Sequence, residues 1–336
     1  MAVFPLPRRL HNVRGEIRRV GIELEFAGVD IDRICAIIVE LFGGELAPRS
    51  RFEKAVAGTP WGDFNVEIDL VLLKERSYLK FLDFMGVDLS DDSLRQAEDL
   101  LARVASTLVP HEIGTPPIPM TEADRIEQLR QRLHQAHALG TKASLRYAFG
   151  LQFNPEAPDF EASTILNYLR AFMLLVDWLQ QRSHIAIARR LSPFINEFPQ
   201  GYVRHILDPA YQPDLAQLID DYIDDNPTRN RPLDMLPLFA FLDNERVLRD
   251  LNDAKIKNKA RPTFHYRLPN CMIDDPGWTI AQEWAGWVAV DDLAQDPQRI
   301  EAMSEEFRRQ RSQWALGYDE NWAARVADTW LHGDAR

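Results

Sequence analysis

Two stretches of alternating sequence each place acids two residues apart on one side. In Ile17 to Phe26, Val20, Ile22, Leu24 and Phe26 share one face, and Arg19, Gly21, Glu23 and Glu25 share the other. In GDFNVEIDLV, Phe64, Val66, Ile68 and Leu70 alternate with Asn65, Glu67 and Asp69. Side chains at i and i+2 of a strand stand roughly 6.5 to 7 Å apart on the same face, so such a pair can flank a hard cation. Mg²⁺ and Mn²⁺ take oxygen ligands, keep some of their water and bridge to phosphate oxygens, which makes an acid-bearing sheet face a site for metal-assisted nucleotide chemistry. One ELE run taken alone is an ordinary solvated strand face. Its repetition on a second strand is what points to metal.

Two further strands extend the same face. SLRYAFGLQFN sets Tyr147, Phe149, Leu151 and Phe153 against Gln152 and Asn154, and TFHYRLPN sets Phe264, Tyr266 and Leu268 against His265 and Arg267. Clean alternation, as opposed to continuous apolar runs, favours an antiparallel sheet with one covered face. Helices are expected between the strands. Asp30 caps one that runs to Leu41 and ends at Gly43 and Gly44, Ser90 opens one through about Leu108, and Ile126, Leu129, Leu133 and Ala136 form a stripe ending at Gly140. HEIGTPPIP reads as part of a Pro-rich turn between the last two. Helical spacing resumes from Phe160 to about Arg190, and Leu191 to Arg261 reads as short helices broken by prolines. In NPTRNRPLD, Arg229 and Arg231 occupy a Pro-bounded turn that would suit a loop closing on phosphates, or a plain surface ion-pair loop. Arg189, Arg190 and the Lys255, Lys257, Lys259 run read as a helix end and a solvated face.

Composition narrows the class. The 336 residues are 46% hydrophobic and 27% charged, which suits a globular protein. With 39 basic against 51 acidic residues, a net charge of -12 argues against nucleic-acid binding. Cys35 and Cys271 are far apart and outside any CxxC pattern, so neither a disulfide framework nor a thiolate zinc site is indicated. No signal-peptide run and no membrane-spanning stretch is apparent, and a cytoplasmic location is expected. Nothing matches GxxxxGK[ST], so a P-loop is not expected.

VGIELEF, VEIDL, HEIGTPPIP, FGLQFNPE and HYRLPN resemble, in order, the motifs of the amidoligases, in the glutamine synthetase and glutamate-cysteine ligase superfamily of ATP-dependent carboxylate-amine ligases. The resemblance runs from Val20 to about Trp287. It implies an α+β fold: a curved, mostly antiparallel sheet of the glutamine synthetase catalytic type, with helices on its outer face. The whole chain, 1–336, would be one such domain, with an N-terminal arm (1–16), a helical insertion (160–261) and C-terminal helices (290–336). The resemblance also implies roles. Glu23, Glu25, Glu67 and Asp69 would hold metal, with Glu112 and Arg267 catalytic, and Gln152, Asn154, His265, Arg229 and Arg231 would meet nucleotide. Gln152 stands where the family usually has His, and His265 where it usually has Glu. The implied reaction uses ATP and Mg²⁺ or Mn²⁺ to join a small-molecule or peptide carboxylate to an amine through an acyl phosphate, with a glutamate γ-carboxyl a candidate. No nucleic-acid or membrane partner is expected, and oligomerisation is left open. A catalytically silent nucleotide-binding relative and a carboxylate-based hydrolase remain as alternatives.

Overall fold

The computed structural model describes residues 4–50, 52–68, 110–141, 149–183, 196–251, 260–314 and 321–331. β1 (Arg19–Phe26) follows the alternation, with Val20, Ile22, Leu24 and Phe26 fully buried. Asp30 then caps α1 (Ile31–Phe42) by accepting from the Asp32 N–H at 2.8 Å, and Gly43, at φ 74°, ends it. A hairpin of β2 (Glu45–Pro48) and β3 (Glu53–Thr59), not anticipated from sequence, leads into β4 (Gly62–Ile68). HEIGTPPIP is not a turn between helices: it supplies β5 (His111–Gly114) and the short β6 (Ile118–Pro119). A 3₁₀ turn over Met120–Arg125 enters α2 (Ile126–Gln135), and the chain leaves it at His137, where φ is 63°, short of the expected Gly140.

β7 (Leu151–Pro155) and α3 (Ala162–Arg182) follow. The Pro-broken stretch gives α4 (Gln200–Ile206), α5 (Leu215–Asp225), α6 (Leu236–Leu242) and α7 (Asn244–Leu251), with the two-residue β8 (Leu233–Asp234) among them. After β9 (His265–Tyr266) come α8 (Ile280–Ala294), α9 (Pro297–Trp314) and α10 (Trp322–Arg325). The helix expected at Ser90 to Leu108, the residue Asp69, the Tyr147 half of the third expected strand, and the Arg189 and Lys255 clusters lie outside the described residues.

All pairings are antiparallel, and the strands form one nine-stranded sheet in the order β2-β3-β4-β5-β1-β7-β9-β8, with β6 beside β1. The α+β class and the antiparallel sheet agree with the sequence. The curved, glutamine synthetase-type sheet does not: the sheet is open, neither curved nor closed. Sheets are bent by bulges and kinks. Here the central registers from β4 through β5 and β1 to β7 run without a shift, and the register shift lies outside them, between Val56 and Thr59 of β3.

One face of the sheet is covered by helices. Against its β4 side, Phe42 of α1 stacks on Phe64 with ring centroids 5.4 Å apart. Against its other side, Trp284 and Trp287 of α8 meet Phe153 at 5.3 Å and Tyr266 at 5.6 Å, and Tyr168 of α3 stacks on Phe264 at 4.3 Å. The helical spacing of these tryptophans is thus packing against the sheet. Among the described residues, no helix is long and apolar enough to cross a membrane.

Candidate functional site on the polar face of the sheet

The face of β1 opposite its apolar side presents Gly21, Glu23 and Glu25, and strand register decides what stands beside them. Glu25 lies opposite Glu112 of β5, Glu112 opposite Glu67 of β4, and Glu67 opposite Glu53 of β3. Four neighbouring strands therefore line up four glutamates in one row. Like charges directly opposite one another destabilise a sheet, so such a row calls for compensation. Some of it is internal. The Glu25 carboxylate accepts from the Gly150 N–H at 2.6 Å and from Gln152 Nε2 at 2.9 Å, and Glu53 pairs with Arg49 at 3.0 Å.

Two residues along β1, Glu23 lies between Gly114 of β5 and Gln152 of β7. It accepts from Asn154 Nδ2 at 2.9 Å, with Arg261 Nη1 and His265 Nε2 each 3.8 Å away. Burial alone would push its pKa up. The His265 imidazole, the Arg261 guanidinium and the Asn154 amide together outweigh burial and hold the carboxyl well below the usual range.

Behind Glu23 and Glu25 runs a polar network. Gln152 donates its amide N–H to Glu25, so its Oε1 is the acceptor for Arg267 Nε at 3.2 Å and for His265 Nε2 at 2.8 Å. His265 Nδ1 faces Asp234 Oδ2 at 3.4 Å, and Arg229 Nε forms an ion pair with the same oxygen at 3.4 Å. Asp234 has no exposed surface, and its other oxygen accepts from the Leu236 N–H at 3.0 Å. Arg267 also donates to the Arg229 carbonyl. Arg231, by contrast, turns away from this face. It donates to the backbone carbonyls of Asn196, Glu197 and Asp225, and its guanidinium sits 5.6 Å from the centre of the Phe198 ring.

In front of the strands lies a cleft of about 460 Å³. Of the residues expected from sequence, Glu23, Glu67, Glu112 and Asn154 line it. Glu25, Gln152, His265, Arg267 and Arg229 instead form the supporting network, and Asp69 lies outside the described residues. The sequence reading missed Asp234, Arg261, Glu53 and Thr115, whose hydroxyl accepts from the Ile22 N–H at 2.9 Å where β5 ends. Asp234 belongs to a strand of two residues between Pro232 and Pro237, too short to show a period.

As donors, the carboxylates are of the hard-oxygen kind that suits Mg²⁺ or Mn²⁺. Among the described residues, however, no three His, Cys, Asp or Glu side chains gather closely enough to hold a metal ion.

No curated protein and no solved structure matches the chain. A family of sequences does: the one described as "Putative amidoligase enzyme" matches residues 16–289, from the turn before β1 into α8, and so spans every strand of the sheet. With most of its length matched, the chain belongs to this amidoligase family.

Proposed function

We propose that the chain is an ATP- and Mg²⁺-dependent carboxylate-amine ligase of the glutamine synthetase and glutamate-cysteine ligase superfamily. The observation that carries this reading is the row of Glu25, Glu112 and Glu67 in register across β1, β5 and β4 beside the cleft, within a chain of the amidoligase family. The γ-phosphoryl group of ATP would pass to a substrate carboxylate, releasing ADP and leaving an acyl phosphate. The amine nitrogen then attacks the acyl carbon, the C–O bond to phosphate breaks, and the nitrogen loses a proton. Divalent cations, when bound, neutralise charge on the phosphoryl oxygens.

The chain's own groups would divide this work. Glu23, Glu67 and Glu112, which line the cleft, and Asp69 from the sequence would hold cations and orient the acid. Glu25 is fixed by the Gly150 N–H and by Gln152, so it presents its carboxylate in one orientation. Arg267 and His265 hold Gln152 and act on the site through it. Asn154 does the same for Glu23.

The test is hydroxamate formation with Mg-ATP, hydroxylamine and a panel of carboxylic acids, because hydroxylamine intercepts an acyl phosphate without the true amine. A hydroxamate that requires both ATP and one particular acid supports the reading and names the acid. Glu25→Gln, which removes a charge from the row, is expected to lose it while staying folded. A second reading, a catalytically silent nucleotide-binding relative, is favoured by the engagement of Glu25 with Gln152 and the Gly150 N–H. Nucleotide binding without hydroxamate or ADP for any acid would select it, and absence of ATP binding would remove both.

A further inference from the structure

Among the described residues, no contact requires a glycine at position 114. It lies in β5, opposite both Glu23 and Asn65, and contributes to the cleft. Its φ is not in the left-handed region, and among the described residues a Cβ added there would meet no atom within 4 Å beyond its chain neighbours. Neither a turn nor close packing among the described residues accounts for it. A glycine inside a strand weakens the strand and marks a place where a ligand or another backbone comes close. Among the described residues no other backbone is within that distance of the missing Cβ, and the position opens on the cleft.

Arg261 borders the same cleft. Among the described residues its guanidinium makes no hydrogen bond, and its ion pair to Glu23 is long, at 3.8 Å. Glu23 therefore links the two residues: it faces Gly114 across the strands and Arg261 through space. Beside Arg261, Thr263 Oγ1 is buried without a hydrogen-bond partner among the described residues. A guanidinium with uncommitted N–H groups in a polar cleft matches a carboxylate or phosphate by its fork of donors.

We propose that Gly114 and Arg261 make one ligand subsite, in which Arg261 holds an oxyanion and the ligand's chain lies flat across Gly114. The oxyanion is either a carboxylate of the acid substrate or a phosphate of the nucleotide. The subsite deepens the ligase reading but is tested by binding alone. Glutarate and tripolyphosphate serve as probes in Mg²⁺ buffer, by calorimetry on the full chain. At least one probe is expected to bind the unaltered protein, and Arg261→Met to weaken it by about tenfold or more, with Arg261→Lys recovering part. Gly114→Val is expected to weaken the same probe comparably by filling the floor. Gly114→Ala is expected to keep the urea unfolding midpoint of the unaltered protein and to give a smaller loss. The probe that responds names the source of the oxyanion. Binding of neither probe, or loss in only one of Arg261→Met and Gly114→Val, overturns the subsite. Should the hydroxamate assay fail while this binding pattern holds, the ligase reading falls and the subsite stands.

Discussion

Burial by itself would favour the neutral form of Glu23, yet His265, Arg261 and Asn154 turn the balance and keep it ionised. That sign fixes a pH dependence. A carboxyl whose pKa is lower in the folded chain than its unfolded value of 4.5 contributes stability that is complete above that value and is lost as pH falls through the native one. The Glu23 contribution, read as the difference in urea unfolding midpoint between the unaltered protein and Glu23→Gln in chelator so that cation binding does not intrude, should therefore be level above about pH 5 and shrink below about 4.5. Glu23→Gln removes this titration. The variant is expected to be less stable at neutral pH and to show a shallower acid decline. An acid decline as steep as that of the unaltered protein would mean that other carboxyls carry it and that Glu23 is not held by its neighbours as described.

Elements were legible in the sequence where a single physical period ran long enough to count. β1, β4 and the Leu151 half of the third expected strand show period-two alternation, and α1 announces both ends through Asp30 and Gly43. β5 stayed hidden because four residues before a Thr-Pro-Pro run look like a turn, although only the sheet's register makes sense of Glu112. β8 and β9 pair two residues each, so Asp234 could not be read as the partner of His265. Glu112 was placed by the family resemblance rather than by any local period.

α8 shows the opposite case, a local signal that supports the site from behind. Thr279 caps it by accepting from the Gln282 N–H at 3.2 Å, Gln282 returns a bond to the Thr279 N–H at 3.1 Å, and Glu127 of α2 accepts from the Ile280 N–H at 2.9 Å. This helix carries the tryptophans that back β7 and β9. Thr279→Ala is expected to cost about 1 kcal/mol in urea unfolding. A cost near zero would show that the Glu127 contact alone anchors the helix start.

Across the whole molecule, one buried ion pair ties α8 to the start of β1. Arg18, one residue before β1, reaches Asp291 of α8 at 2.7 Å, and neither side chain has exposed surface. The same guanidinium donates to the carbonyls of Arg9, in the N-terminal segment, and of Glu156, just past β7. Burial works against the charged form of Arg18, and the Asp291 carboxylate outweighs it. Two charges removed from water recover their desolvation only while both remain, so deleting one leaves the other stranded. Asp291→Ala is therefore expected to destabilise the chain by about 3 to 5 kcal/mol, read from urea unfolding. Arg18→Met combined with Asp291→Leu should cost less than Asp291→Ala, because no buried charge is left unpaired and what remains is the loss of the donor to the Arg9 and Glu156 carbonyls. The comparison separates two roles for the pair. If the double variant regains stability and its hydroxamate yield or probe binding is unchanged, the pair is a fastening that apolar packing can replace. If stability returns but binding does not, Arg18 also sets the position of β1, and with it the distance from Glu23 to Arg261 across the cleft.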